Sequence, residues 1–349
     1  MNNYIANFKK LYNKKSRMSK NMDKKDVVGI GNAIVDIITD DTDEFLHVNN
    51  IKKGSMKLCN EKESEELYKQ IKPKVQMSGG SAANTIAGIA SLGGRTNFIG
   101  KLHNDVFGKI FLEDLRLLEI EHGIKLSEEG ETTARCIVIV TPDAQRSLVT
   151  YLGCSSNLNI HDININVIRN HKITYLEGYL WDLPEVKETM IFASEECNKS
   201  GNLVALTLSD TFCVKRHKNS FLKLIRNHVD ILFANENEIM ELYNKNEIEK
   251  VTDLIKDDCE TVVITRGEKG SIIINNKNIF EIDSIQCQVV DTTGAGDLYA
   301  SGFLYGITKN KDLETCGKIG TRIAAEVISN YGARSKRDLR ELIINEEVK

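Results

Sequence analysis

One segment of the chain combines glycines that suit an anion with a carboxylate that suits a base. Residues 290–297 read V-D-T-T-G-A-G-D. Glycine lets a ligand approach the backbone closely, and N–H groups at a helix N-terminus favour an anion such as phosphate. Asp297 would repel that phosphate unless it accepts a proton from a hydroxyl that attacks it. Asp297 is therefore a candidate general base, and the alternative is a glycine-rich turn that Asp297 caps.

The residues on either side predict how this segment is held. Residues 279–290 are rich in β-branched side chains, and residues 298–307 are largely apolar and contain no proline. This pattern predicts a strand, a glycine turn and the start of a helix. The backbone N–H groups of Gly294, Ala295 and Gly296 then form a predicted anion hole for a transferred phosphoryl group.

A second glycine cluster lies at residues 78–84, S-G-G-S-A-A-N, before a helix-like run of small residues. Together the two segments resemble the two signatures of the ribokinase-like (PfkB) family of sugar and nucleoside kinases. The resemblance extends from about Val27 to Arg334; D-T-T-G-A-G-D is highly specific and G-G-S-A-A-N moderately so. It implies an α/β fold, a three-layer sandwich with a mainly parallel central sheet flanked by helices, plus a small β-sheet lid.

Strand-like apolar runs alternate with amphipathic helix-like stretches along the chain, which favours βαβ units and a mainly parallel sheet. Two stretches, residues 54–59 and 135–151, break the alternation and predict short strands, with a turn at residues 141–143. In the family the corresponding segments cover the substrate, so we expect lid segments near residues 40–60 and 131–153.

The composition limits the partners of this protein. Its 349 residues include 46 Lys and Arg against 50 Asp and Glu, a net charge of −4, so no nucleic-acid partner is expected. No stretch approaches the ~18–20 apolar residues of a membrane span. The 8 cysteines form no C-x-x-C pair, which favours free thiols and a cytoplasmic location. We expect a small-molecule substrate; monomers and homodimers both occur in the family.

The first residues differ in composition from the rest. Residues 1–25 contain many lysines but a single acid, Asp23, and they lack the apolar core of a signal peptide. We interpret residues 1–25 as a basic, disordered tail, which leaves residues 26–349 as one kinase domain.

Residues that bind the acceptor are predicted after the first strand and in the second glycine cluster. The segment G-I-G-N at residues 29–32 lacks the third glycine of a dinucleotide site, so a nicotinamide cofactor is not expected. Asn32 and Asp36 match family positions that reach substrate hydroxyls, and a carboxylate accepts two hydrogen bonds from a vicinal diol. The alternative for Asp36 is a helix cap or a loop acid. Further matches to sugar-contacting family positions are Gly79, Gly80 and Asn84.

Residues that bind the nucleotide are predicted after two later strands. Residues 235–238, N-E-N-E, match the family's N-x-x-E motif, in which Asn235 and Glu238 serve ATP and a Mg²⁺ held through water. The alternative is an N-capped acidic helix. The turn T-R-G-E-K-G at residues 265–270 matches the family's T-x-G-x-x-G turn, and its ATP-site candidates are Thr265, Gly267 and Gly270. Asp291 and Thr293 resemble positions that hold a monovalent cation such as K⁺ in several members.

The resemblance implies an ATP- and Mg²⁺-dependent kinase in which Asp297 takes the proton of the acceptor hydroxyl. The opening G-I-G-N-A-I-V-D-I and the variant G-S-A-A-N resemble the adenosine kinase branch, so adenosine, converted to AMP, is the favoured acceptor. Arg135 in the predicted lid favours instead a charged or sugar acceptor, as in a ribokinase or fructokinase. A third alternative is a family member that binds a nucleoside without turnover, and the intact Asp297 argues against it.

Overall fold

The computed structural model describes residues 24–143, 145–335 and 337–347. Its strands are β1 Lys25–Ile30, β2 Ile34–Asp40, β3 Met56–Leu58, β4 Val75–Gly79, β5 Thr96–Ile99, β6 Glu121–His122, β7 Ala134–Val140, β8 Arg146–Tyr151, β9 His171–Glu177, β10 Leu203–Thr207, β11 Ile231–Asn235, β12 Thr261–Thr265, β13 Ser271–Asn275 and β14 Asn278–Ile282. Its α-helices are α1 Asp43–Val48, α2 Glu61–Gln70, α3 Ser81–Ser91, α4 Val106–Leu117, α5 Ile165–Arg169, α6 Pro184–Lys199, α7 Thr211–His228, α8 Glu236–Tyr243, α9 Ile248–Ile255, α10 Ala295–Thr308, α11 Leu313–Ile328 and α12 Arg340–Glu347. None of the helices in these described ranges is long and apolar enough to cross a membrane.

The larger sheet has nine strands in the order β14-β13-β12-β11-β10-β9-β1-β5-β6. The strands from β12 to β6 pair in parallel, and β13 and β14 are added as antiparallel hairpins. Parallel neighbours need crossover connections, most of which are helices here. The carboxyl ends of the parallel strands therefore meet at one edge, where open α/β sheets bind their ligands.

Helices cover both faces of this sheet, so its central strands are buried on both sides. In β1, Val27 packs into one apolar core and Val28 into the other, because successive side chains of a strand point to opposite faces. Helices α3 and α10 contribute to the first core, and α6, α7, α8 and α9 contribute to the second. The predicted three-layer sandwich around a mainly parallel sheet is confirmed.

A second sheet has five strands in the order β3-β8-β7-β2-β4. One face of it packs into the first core through Val35, Ile37 and Ile137. Residues 135–151 supply β7 and β8, as the sequence predicts, and β3 lies within residues 54–59. Neither β2 nor β4 is predicted from the sequence. Strand β2 follows so closely after β1 that the two appear as one apolar run, and β4 has only two apolar side chains, Val75 and Met77. Their antiparallel pairing brings Asp36 and Gly79 into this small sheet.

Two predicted boundaries are wrong. The strand predicted over residues 279–290 ends at Ile282, because its partner β13 begins at Ser271, the residue that pairs with Ile282; residues 283–290 reach the glycine turn without strand pairing. The predicted tail also ends too late. Lys25 begins β1, and Lys24 Nζ donates to Asn202 Oδ1 at 2.6 Å. Residues 1–23 of that tail lie outside the described residues.

Candidate active site

The two glycine clusters of the sequence meet at the carboxylate of Asp297. This residue lies in the first turn of α10, and the first turn of α3 faces it. Ser81 Oγ donates to Asp297 Oδ1 at 2.6 Å, and Asn84 Nδ2 donates to Asp297 Oδ2 at 3.2 Å. Thr85 Oγ1 also donates to the backbone carbonyl of Asp297, at 3.1 Å. Segments more than 200 residues apart in the chain therefore form one site.

Burial decides the protonation of Asp297. Loss of hydration raises the pKa of this carboxyl to about 6, although the hydrogen bonds from Ser81 and Asn84 lower it. A carboxyl with that pKa is largely ionised at neutral pH, yet it is a better proton acceptor than an exposed aspartate. The site thus holds a carboxylate that is matched to proton transfer near neutral pH.

The turn before Asp297 presents the start of α10. Gly294 is the N-cap and has φ +75°, a left-handed conformation that glycine adopts without strain. The N–H of Ala295 donates to Thr292 O at 3.2 Å, so one of the three predicted anion-hole donors is already used within the turn. Intrahelical bonding begins when Leu298 N donates to Gly294 O. The N–H of Gly296 and that of Asp297 thus belong to the first helical turn, which has no intrahelical acceptors.

Asp36 lies in β2 of the small sheet, and its carboxylate touches Gly79 of β4. A Cβ atom at Gly79 would overlap that carboxylate, which explains the glycine. Burial raises the pKa of Asp36 to about 6; the positive charges of Arg334 and Arg146 lower it and the negative charge of Asp297 raises it. The negative charge of Asp297 therefore disfavours the ionised form of Asp36.

Asn32 is held by protein groups on both sides of its amide. Its Nδ2 donates to Glu177 Oε1 at 2.7 Å, and its Oδ1 accepts from Ser155 Oγ at 3.0 Å. Glu177 Oε2 accepts from the N–H of Ala82 at 2.8 Å; Ala82 lies two residues after Gly80, the N-cap of α3. Burial raises the pKa of Glu177 to about 7, against these hydrogen bonds. Glu177 thus joins the end of β1 to the start of α3.

The predicted nucleotide residues lie together at the carboxyl ends of β11 and β12. Asn235 pairs with Thr265 across these strands. Asn235 also caps α8: its Oδ1 accepts from Glu238 N at 2.9 Å, and Glu238 Oε2 accepts from Asn235 N at 2.9 Å. Asn235 Nδ2 donates to Glu238 Oε1 at 2.6 Å. The helix-cap alternative is therefore observed, and the Mg²⁺ role of Glu238 stays a prediction. Burial raises the pKa of Glu238 to about 7, as expected for a carboxylate that lacks a compensating cation.

The turn after β12 contains a short 3₁₀ segment, Gly267–Lys269, which Gly270 terminates. Gly267 borders open space, whereas a Cβ atom at Gly270 would overlap the carbonyl oxygen of Ile282. Packing against β14 therefore explains Gly270 by itself. The nucleotide contacts of Thr265, Gly267 and Gly270 stay predictions.

Asp291 is tied to the small sheet by an ion pair. Arg146 Nη2, at the start of β8, lies 2.8 Å from Asp291 Oδ2, which also accepts from Gly332 N at 2.8 Å. Asp291 Oδ1 accepts from Thr293 N at 3.1 Å and from Thr293 Oγ1 at 2.8 Å. A K⁺ ion at these two side chains would compete with a guanidinium, so the predicted cation site stays a prediction that this geometry does not favour.

Arg135 does not face the acceptor, contrary to the expectation that it would favour a charged substrate. Its Nε donates to Ser64 Oγ at 2.7 Å, and its guanidinium lies 5.3 Å from the ring centre of Phe107 and 5.2 Å from that of Tyr151. The opposite face of the small sheet carries this buried side chain, because Arg135 is one residue away from Cys136, the pairing partner of Asp36. Arg135 therefore gives no support to a charged acceptor.

Four residues of the site are not predicted from the sequence. Ser81 lies inside the G-G-S-A-A-N motif, which locates the residue but does not indicate that its hydroxyl binds a carboxylate. Glu177 was detectable as a lone acid at the end of an apolar strand. Arg146 and Arg334 stand in segments without a local signal, because only the tertiary fold brings them to Asp291 and Asn84.

The chain is similar to known kinases over most of its length. A model of the pfkB family carbohydrate kinases matches residues 49–339. The structure of an adenosine kinase from Sinorhizobium meliloti is 43% identical, with a TM-score of 0.85 over 91% of this chain and 98% of that chain. The structure of a probable sugar kinase from Rhizobium etli CFN 42 is 40% identical, with a TM-score of 0.87 over 94% and 100%. The adenosine kinase of Saccharomyces cerevisiae is 24% identical over 332 residues, 88% of this chain and 95% of that protein.

A mainly parallel α/β sheet with a half-buried aspartate in the first turn of a helix, together with these matches, defines a phosphotransferase that acts on a hydroxyl group. Within that class, this chain belongs to the pfkB family of carbohydrate kinases. Kinases of this family use ATP with a divalent metal.

Proposed function

We propose that this protein is an ATP- and Mg²⁺-dependent kinase that phosphorylates adenosine to AMP, with Asp297 as the general base. The observation that carries the proposal is the carboxylate of Asp297, which is held by Ser81 and Asn84 in the first turn of α10 and has a pKa raised to about 6. A site that only bound a nucleoside would have no use for a half-buried carboxylate in the first turn of a helix, where backbone N–H groups favour a phosphate.

In the proposed reaction the acceptor hydroxyl lies between Asp297 and the terminal phosphate of ATP. Its oxygen bonds to the phosphorus while its proton passes to Asp297, and the bond from that phosphorus to the departing ADP oxygen breaks. Asp297 then releases the proton to water. The first-turn N–H groups of Gly296 and Asp297 stabilise the charge on the transferred group; removal of one such donor typically costs ~10²–10³ in rate. Gly294 shapes this turn, and Ala295 supports it through Thr292.

The nucleotide end of the site suits a divalent cation. Glu238 is 5% exposed, and burial, with the negative charges of Asp210 and Asp297, raises the pKa of its carboxyl to about 7, which a bound cation would lower. We propose that Glu238 holds Mg²⁺ through water and that Asn235, Thr265, Gly267 and Gly270 line the ATP. Bound Mg²⁺ supplies neutralisation of phosphate charge. Asp291 and Thr293 remain the proposed monovalent-cation residues.

An apolar face beside Asp36 favours a nucleoside over a simple sugar. Directly paired residues of neighbouring strands share a face of the sheet. Asp36 pairs with Met77, and Ile38, two residues on, pairs with Val138, which in turn pairs with Leu148. A ribose whose diol binds Asp36 would place an attached base against this apolar face. A free sugar would leave the same face in water, which the hydrophobic effect disfavours.

We further propose that the small sheet is the lid of a single kinase domain, predicted over residues 26–349 and extended in the structure by Lys24 and Lys25, and that it excludes water from the reaction. The residues proposed to bind the sugar of the acceptor, by direct contact or by positioning a residue that makes direct contact, are Asn32, Asp36, Gly79, Gly80 and Asn84. No disulfide bond joins the cysteines of the described residues, which supports a reducing, cytoplasmic location. A monomer or a homodimer is compatible with the proposal.

A second candidate is a sugar kinase of the same family. The similarity to the probable sugar kinase of Rhizobium etli favours it. A coupled assay of ADP release should be run with ATP, Mg²⁺ and, in turn, adenosine, other nucleosides, ribose and fructose, with Asp297→Asn as the control. The proposal expects adenosine to give the highest kcat/KM. A higher value for ribose or fructose would establish the second candidate, and no transfer to any acceptor by folded protein would refute both.

A further inference from the structure

Arg334 links three parts of the acceptor site through its guanidinium. Its Nη1 donates to Asp114 Oδ2 at 2.7 Å, its Nη2 donates to Ser78 Oγ at 2.7 Å, and its Nε donates to Asn84 Oδ1 at 3.4 Å. Only 12% of the side chain is exposed. Ser78 belongs to β4 of the small sheet, Asp114 to α4 and Asn84 to α3. One side chain thus connects the small sheet with the helix that faces Asp297.

The contact with Asn84 determines how that amide is oriented. A primary amide has a carbonyl oxygen that accepts and a nitrogen that donates. Because the guanidinium offers only donors, it holds the oxygen of Asn84 and leaves Nδ2 to donate to Asp297 Oδ2 at 3.2 Å. In the flipped orientation the amide nitrogen would face the guanidinium and the oxygen would face a carboxylate, and both contacts would be repulsive.

The charge of Arg334 acts on a second carboxylate, Asp36. The charged groups that influence the pKa of Asp36 are Arg334, Arg146 and Asp297, and the neighbouring thiol of Cys136 has a pKa raised strongly by burial, so it stays neutral. Arg146 is already paired with Asp291 at 2.8 Å. Arg334 shares its charge with Asp114, yet it is the largest favourable influence on the ionised form of Asp36.

We propose that Arg334 is a positioning residue of the phosphoryl-transfer site, which orients Asn84 toward Asp297 and places a positive charge near Asp36, the residue proposed to receive the acceptor's hydroxyls. This inference rests on the proposed function, because it assigns Asp36 to acceptor binding and Asp297 to proton transfer. It concerns a residue outside both glycine motifs, in a segment that carries no recognisable signature.

The test compares Arg334→Gln and Arg334→Lys with wild type in the pH dependence of kcat/KM for the best acceptor of the panel. In Arg334→Gln, loss of the positive charge raises the pKa of Asp36, and a freed Asn84 amide raises that of Asp297. Both groups must be ionised, so activity present at neutral pH is lost earlier as pH falls. The acid limb is the part of the profile in which kcat/KM falls as pH falls, and we expect it to move up by about 1 pH unit. The acceptor KM at pH 7 should rise about 10-fold, which corresponds to the loss of one charge-assisted hydrogen bond.

Arg334→Lys restores the charge without the planar fork, so its acid limb should return most of the way to wild type. The KM for ATP should change by less than about 2-fold in both variants, since none of the contacts of Arg334 lies at the nucleotide end of the site. The matched control is Arg337→Gln, three residues further on, where an exposed arginine pairs with Glu326 at 3.6 Å; its pH profile should equal that of wild type.

The outcomes separate this inference from the function on which it rests. An active wild type whose acid limb is unchanged in Arg334→Gln would overturn the positioning role alone. The positioning role would also be overturned if both variants lost activity and had a lower Tm but kept the acid limb of wild type. A residue that only stabilises the fold gives that result. An inactive wild type would overturn the proposed function and this inference together.

Discussion

Ser81 Oγ and Asp297 Oδ1 lie 2.6 Å apart, so the hydroxyl of one glycine motif donates to the candidate base of the other. The bond stabilises the ionised carboxylate, and it lowers a pKa that burial raises. It also fixes one lone pair of Asp297, which leaves the remaining lone pairs to accept from Asn84 and from an acceptor hydroxyl.

Ser81→Ala should therefore weaken Asp297 as a base at low pH without removing it. Loss of a hydrogen bond to a charged group costs roughly 1.5–3 kcal/mol, so the pKa of Asp297 should rise further above about 6. The pH profile of kcat/KM should show its acid limb moved up by about 1 pH unit, with a smaller loss at pH 8. Ser91→Ala, at the other end of α3, is the matched control. Equal profiles for Ser81→Ala and wild type would mean that Asp297 does not titrate in turnover.

Glu238→Gln separates the cap function of this residue from its proposed function in binding Mg²⁺. Gln keeps the capping-box bond to Asn235 N through its oxygen, but its amide nitrogen then faces Asn235 Nδ2. The helix α8 should therefore be retained with a small fall in Tm, while the negative charge that attracts the cation is lost. We expect the Mg²⁺ concentration for half-maximal rate to rise about 10-fold and kcat to fall, as activity assays at varied Mg²⁺ will measure.

The control for this variant is Glu63→Gln. Glu63 forms the same capping box with Asn60 at the start of α2, where its side chain belongs to an exposed helix end. Glu63→Gln should leave the Mg²⁺ dependence unchanged. If Glu238→Gln behaves like Glu63→Gln, then Glu238 is a helix cap and nothing more.

Much of this fold and part of this site follow from the sequence, and particular residues show why. The octet at residues 290–297 and the cluster at residues 78–84 predict a glycine turn and two helix starts, because glycine patterns act locally; the strand predicted before the octet ends instead at Ile282. The meeting of Asp297 with Asn84 is implied by the family resemblance alone. No local pattern could place Arg146 beside Asp291, or Arg135 on the buried face of the small sheet, since both depend on the register of β7 and β8.

Glu177→Gln should lower the stability of the folded protein, because both oxygens of this carboxylate accept hydrogen bonds from N–H groups. The carboxylate accepts from Asn32 Nδ2 at 2.7 Å and from Ala82 N at 2.8 Å. Gln turns one acceptor into a donor, so one of these N–H groups would face another N–H, at a cost of about 1–3 kcal/mol. We expect a lower Tm and a higher acceptor KM with little change in the KM for ATP. An unchanged Tm would show that a water or a shift of α3 compensates.

Asp297→Asn tests the central assignment, and rate and stability should move in opposite directions. The amide retains the volume, and it accepts from Asn84 Nδ2 through Oδ1 and donates to Ser81 Oγ through Nδ2, because a hydroxyl also accepts. It cannot take the proton of the acceptor, so kcat should fall by ~10²–10⁴. Loss of the negative charge relieves its repulsion of phosphate, so affinity for ATP should hold or improve.

The stability of the same variant depends on pH with a definite sign. The folded protein raises the pKa of Asp297 from 3.8 to about 6, so the folded state binds more protons than the unfolded state between those values. This carboxyl therefore lowers stability progressively as pH rises through about 6, and above that pH the full penalty is present. Differential scanning fluorimetry should give Asp297→Asn a higher Tm than wild type at pH 8, with a difference that shrinks toward pH 4. If Asp297 were only a helix cap, Asn would serve nearly as well, and near-normal turnover with an unchanged Tm at both pH values would remove Asp297 from catalysis.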